Sequence, residues 1–141
     1  MQSSLIVATL ISTVGRGVSL TLVVLYLSLV AGLPAEQVAL VYAIGSGIGI
    51  AASYLGGHLA DSVSARWMLV GGVVAAGLAL ASVALVTELW QAVVAESVVS
   101  VALGTNGSVR SAIIARAFSP ETRVTSRAVL RTVTNIGITI G

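Results

Sequence analysis

There is no cysteine in this 141-residue chain. That excludes a disulfide framework and any thiolate-ligated metal. A single histidine, His58, excludes a multi-histidine metal site. Lysine is missing too, since all 7 basic residues are arginine. With abundant Ala, Val and Gly, this bias matches a GC-rich bacterial genome. Charge is scarce: 9% of residues are charged, against about 25% in a soluble domain. A water-soluble fold of this length could not cover its surface with so few charges. What is present is apolar. Hydrophobic residues make up 57% of the chain, and its mean hydropathy is +1.06. The chain therefore reads as an integral membrane protein, an all-α transmembrane helix bundle. A pI near 9.7 would suit nucleic acid. The arginines, however, sit at helix ends and within apolar runs and form no basic patch, which excludes that partner.

A membrane span needs about 20 apolar residues to cross about 30 Å of hydrocarbon. The sequence predicts spans over residues 5–31, 36–57, 67–86 and 89–115, with an incomplete fifth helix from 120. Gly32-Leu33-Pro34 punctuates the end of the first. Ser119-Pro120-Glu121 reads as a helix start, with serine as cap and proline in the first turn. Beyond Arg131 only about ten residues remain, too few for a crossing. The expectation is the N-terminal part of a longer protein, or a truncated form. The N-terminus does not read as a cleaved signal peptide, because no basic region leads it and its apolar run is too long. Barrel strands are a poor alternative, since polar and apolar residues do not alternate.

Orientation follows from arginine placement. The second connection holds Asp61 and Arg66, and the fourth leads into Arg116, Arg123 and Arg127. The other two hold Glu36 and Glu88. The even-numbered connections and the N-terminus are thus expected on the cytoplasmic side of a bacterial inner membrane. Arg123, Arg127 and Arg131 recur every four residues, a cationic stripe suited to anionic headgroups.

Small residues recur every four positions in two spans: Gly45, Gly49, Ser53 and Gly57, and Ser100, Gly104, Ser108 and Ala112. Residues four apart share a helix face, and small faces let helices approach closely in lipid. The plain reading is packing. The functional one is that these faces slide during transport. Gly45-Ser46-Gly47-Ile48-Gly49 is no nucleotide loop, for it sits within a span with no strand before it.

Three charges lie within spans. A charge at mid-bilayer costs roughly 2.5–3.5 kcal/mol on insertion scales, so it survives where it pairs or lines water. Arg16 is roughly 16 Å into the first span, Glu96 roughly 10 Å into the fourth, and Arg110 roughly 8 Å from the fourth's end. Glu96 and Arg110 fall within about 40° of one face, shared with the Ser100-Gly104-Ser108 row. The functional reading is a water-filled cavity between the first and fourth helices. Arg16 would attract an anionic group or act as counter-charge, and Glu96 would be the proton carrier. The plainer reading has Arg110 snorkelling, Glu96 near an interface and Arg16 bonding helix carbonyls. A direct Arg16–Glu96 pair would be strained, with depths about 12 Å apart.

The segment Gly56-Gly57-His58-Leu59-Ala60-Asp61-Ser62-Val63-Ser64-Ala65-Arg66 resembles the signature loop of the major facilitator superfamily. That pattern is glycine, three residues, aspartate, a basic residue, any residue, glycine, then two basic residues. Gly57, Asp61 and Arg66 match, while Ser62, Ser64 and Ala65 depart from it. Gly32-Leu33-Pro34-Ala35-Glu36-Gln37 looks like the family's outer turn. The run from Arg127 through Asn135 to Gly137 is similar to helix 5 of bacterial members. The Gly137-to-Gly141 spacing resembles the glycine-rich helix 5 of drug/proton antiporters. The resemblance covers essentially the whole chain and would account for roughly five of twelve helices. It implies a secondary transporter with its solute site at mid-membrane between two halves, the second half being absent from this chain. Asp61 and Arg66 would join a charge network that closes the inner gate.

The expected function is proton-linked transport of a small organic solute, with efflux of hydrophobic compounds foremost. Expected partners are membrane lipid, the solute, protons and the second half of the protein. No cofactor, metal or enzymatic chemistry is indicated: there is no activated nucleophile and no phosphate-cradling loop. Two alternatives stand. One is a non-transporting module that packs against a partner through its small-residue faces. The other is a small dimeric four-helix multidrug exporter, which would want a carboxylate in the first helix where Arg16 stands.

Overall fold

Where lipid replaces water, a chain must satisfy its backbone internally, and an uninterrupted helix does so. The computed structural model describes residues 2–59, 62–117 and 120–140. Among them are five helices and no strand: α1 (Gln2–Leu29), α2 (Ala35–Leu59), α3 (Ala65–Val83), α4 (Leu89–Ala117) and α5 (Pro120–Ile140). The first four contain segments long and apolar enough to cross a membrane. Only 11–28% of each segment's apolar window is buried within the protein. Side chains such as Ile50, Tyr54, Trp67 and Leu78 point outward, as lipid permits and water does not.

The turns follow local chemistry. Gly32 has φ +70°, a left-handed conformation that other residues rarely adopt. It lets the Ala31 and Leu33 amides reach back to the Tyr26 and Leu27 carbonyls, at 3.0 and 2.9 Å. The Pro34 carbonyl then accepts from the Gln37 and Val38 amides, opening α2. Helix α3 begins at Ala65 and stops at Val83, short of the expected residue 86. Residues 84–86 wind instead into tight turns whose amides reach back three residues. The Gln91 side chain starts α4, its Oε1 accepting from the Thr87 and Glu88 amides at 2.8 and 3.2 Å. A glutamine at the third helical position serves the orphan N–H groups of the helix end in this way. Helix α5 starts at Pro120, and the proposed cap Ser119 lies outside the described residues.

The chain divides into two compact units, Leu25–Arg116 and Met1–Val24 with Ala117–Gly141. In the larger unit α2, α3, α4 and the end of α1 pack together. Leu27, Val41 and Val109 are its most buried large side chains. The Tyr26 hydroxyl donates to the Ala84 carbonyl at 2.8 Å, tying the end of α1 to the turn after α3. In the smaller unit α5 lies on the first part of α1, with Gly137 against Thr13 and Val14. Thr9, Thr13 and Ser126 are buried there. The Thr13 hydroxyl donates to the Thr9 carbonyl at 2.8 Å, so this polar group needs no water.

Candidate functional site

The α2–α4 seam is built from residues with almost no side chain. A Cβ on Gly45 would lie 2.8 Å from Glu96 Cγ and 3.2 Å from Ser100 Oγ. One on Gly49 would lie 3.1 Å from the Ser100 carbonyl oxygen, and one on Gly56 3.0 Å from the Thr105 backbone. On the facing side, a Cβ on Gly104 would run into the Gly49 carbonyl oxygen and the Ser53 hydroxyl. The Ser108 hydroxyl donates across the seam to the Ser53 carbonyl at 2.6 Å. Contacts rise in number along both helices together, so α2 and α4 run in the same direction.

The row is not the one that four-residue spacing predicts. Gly57 has open space around it, and Gly56 makes the contact instead. A helix repeats every 3.6 residues. A strict four-residue row therefore drifts off the seam by about 40° per step, and after three steps the neighbouring residue has replaced it.

Glu96 sits in this seam. It is half-buried, lies over Gly45, and accepts a hydrogen bond from the Ser100 hydroxyl at 3.2 Å. The Tyr42 hydroxyl is buried without a hydrogen-bond partner and is within electrostatic range of the Glu96 carboxylate. On the opposite flank of α4, the Asn106 amide lies directly on Gly72 of α3, and its Oδ1 is likewise buried and unpartnered. Arg110 is half-buried on α4. By helical rise it stands roughly 21 Å along the axis from Glu96, too far for a direct pair.

The other expected site residues belong to several elements. Arg16 is exposed on α1 and belongs to the smaller unit, whereas Glu96 and Arg110 belong to the larger. Arg66 is exposed in the first turn of α3. Asp61 lies outside the described residues. On α5, Asn135 is exposed, while Gly137 is buried against α1. Gly141 lies outside the described residues, as does the Arg123 side chain. Arg127 and Arg131 are exposed. His58 packs edge-on against Tyr54, ring centroids 4.9 Å apart. No group of three or more His, Cys, Asp or Glu side chains comes together among the described residues.

An open crevice of about 580 Å³ separates parts of α3 and α4, lined by Leu78, Ser82, Leu85, Trp90, Val94 and Val98 among others. It holds no titratable side chain and offers nothing to an ionic ligand. Tyr42, Asn106 and Gly72 are not among the residues that the sequence alone singles out. A signal for two of them was present. Tyr42 stands three residues before Gly45, on the same helix face, and Asn106 is an amide inside an apolar run, the kind of residue that bonds between helices.

A family model described as Major Facilitator Superfamily matches residues 5–141. No curated protein and no solved structure matches the chain.

Proposed function

The chain belongs to the Major Facilitator Superfamily, and on that footing we propose that it moves a small organic solute across the membrane by proton-linked alternating access. Efflux of a hydrophobic compound is the leading form. Rocking of one bundle against another around a central site is how such folds alternate. The observation that carries the proton linkage is Glu96, a carboxylate held half-buried in an apolar span beside a hydroxyl donor. An ionisable group at that depth is expensive unless it works or pairs. Here it would take up a proton on one side of the cycle and release it on the other.

Arg16 would attract an anionic group or serve as counter-charge, and Arg110 would add a second cation on the Glu96 helix. Gly57, Asp61 and Arg66 would form the inner gate. Arg66 supports that role physically: it stands in the first turn of α3, where the helix dipole disfavours a cation. A carboxylate partner would offset that repulsion and would be lost on opening. Asn135, Gly137 and Gly141 would make up the glycine motif of α5, in which Gly137 packs on α1 while Asn135 is exposed. The N-terminus would be cytoplasmic in a bacterial inner membrane, and further helices outside this chain would complete the solute site.

The packing-module alternative is less favoured, because Gly45, Gly49 and Gly104 of its small-residue rows pack α2 on α4.

The test is substrate-driven proton flux in proteoliposomes of the full-length protein, using a panel of lipophilic cations and neutral and anionic organic solutes. Glu96→Gln should abolish proton movement coupled to any solute the wild type transports. Unchanged flux removes Glu96 as the carrier.

A further inference from the structure

We propose that Tyr42 is a positioning residue for this proton step, its hydroxyl held in reserve as the hydrogen-bond donor to the ionised Glu96 carboxylate. The inference rests on the reading of Glu96 as the proton carrier and names the group that serves the carrier's second state.

Three observations meet at this point. The Tyr42 hydroxyl is buried and has no hydrogen-bond partner. An unsatisfied hydroxyl in an apolar setting is unfavourable, and a phenylalanine would fill the same space without that penalty. Tyr42 shares a face of α2 with Gly45, and Gly45 is where the Glu96 side chain crosses the seam. Glu96 is also the charge that reaches Tyr42.

The neighbourhood leaves few other candidates. The Ser100 hydroxyl already donates to Glu96 Oε1. Helix α3 carries one charged residue, Arg66, at its far end. On α4 itself, Arg110 and Arg116 are roughly 21 Å or more along the axis. In the end of α1 that packs in this unit, the Tyr26 hydroxyl is engaged by Ala84. The remaining titratable groups of α2 are Glu36 at its start and Tyr54 and His58 near its end. Among the described residues of the packed elements, Tyr42 is thus a titratable side chain that interacts with Glu96.

The balance of the step is simple. Protonated Glu96 releases its proton to water or to a solute-side acceptor, and the carboxylate gains a negative charge. The Tyr42 hydroxyl then donates to it and keeps its own proton throughout. When Glu96 is reprotonated, the bond is given up. Bonds to an ionised group are roughly twice as strong as those between neutral groups, so Tyr42 favours the deprotonated state.

Infrared titration of the protein in lipid nanodiscs reads this without any solute. The protonated-carboxyl carbonyl band that Glu96→Gln removes is followed against pH. In Tyr42→Phe its midpoint should move upward by about one pH unit, because the ionised form loses a donor. In the wild type, a tyrosine ring mode should shift with the same midpoint and stop doing so in Glu96→Gln. An unmoved midpoint in a folded Tyr42→Phe protein overturns the proposal. A tyrosine mode that ignores Glu96 ionisation in the wild type overturns it too, even if the variant does not fold. A loss of coupled flux in Glu96→Gln together with an unmoved midpoint sinks Tyr42 and leaves the carrier intact. The reverse pattern supports the donor pair and removes the carrier.

Discussion

Helix α4 meets two neighbours in two different ways. Against α2 it closes until backbone touches backbone, because Gly45, Gly49 and Gly104 have no Cβ to hold the helices apart. Against α3 it leaves an open crevice rimmed by Leu78, Leu85, Trp90 and Val98, and its deepest polar contact is one amide lying on one glycine. The spans that form both seams are apolar, so overall hydrophobicity cannot explain the difference. In lipid it carries little drive between helices, and side-chain size decides how near they come. Closeness in turn decides chemistry. The tight seam brings a hydroxyl to a carbonyl across helices and holds a carboxylate, whereas the loose one holds no titratable group.

If size sets the contrast, the largest effect should come from Gly104→Leu. It drives a large side chain into Gly49 and Ser53 and should lower stability by about 3 kcal/mol, the upper end of overpacking. Gly71→Leu, with open space around it, should change stability by no more than about 0.5 kcal/mol. Thermal unfolding in mild detergent, followed by tryptophan fluorescence, compares the two. Equal losses would dissolve the distinction between the seams.

A smaller effect is expected where α3 touches α4. Gly72→Ala should lose about 1–2 kcal/mol by pressing on the Asn106 amide. Adding Asn106→Ala should restore most of it, since the two side chains then fit and a buried unpartnered acceptor disappears. The double-mutant cycle reads the coupling. Additive losses would mean that the amide and the glycine are not the contact that matters.

The smallest is Ser108→Ala, which removes a hydroxyl that bonds across the tight seam. Bonds of this kind within membranes average about 0.6 kcal/mol. A loss several times larger would shift the weight of the seam from its glycines to its hydrogen bond.

The all-helical class is legible in the sequence, and so is the first turn, where local rules govern. Gly32-Leu33-Pro34 announced a stop and restart, and the left-handed glycine with the proline carbonyl performs both. Residues 84–86 are apolar, and the sequence alone predicts span there. They leave the helix because apolarity does not distinguish a last helical turn from a tight bend. The small-residue rows were visible at Gly45, Gly49, Ser100 and Gly104, but the partner of each row was not. Nor was the handover from Gly57 to Gly56, which depends on the pitch of a helix against a particular neighbour. Depth and periodicity alone direct Glu96 toward a cavity beside the first helix. In the folded chain it lies over Gly45 of α2.

What the sequence determined alone is the solvent and the element: too few charges to face water, and apolar runs long enough to cross lipid, which only backbone-satisfied helices do economically. Which faces meet was settled by the tertiary structure. The approach of two helices depends on atoms from both, and no single stretch of chain records the size of its neighbour.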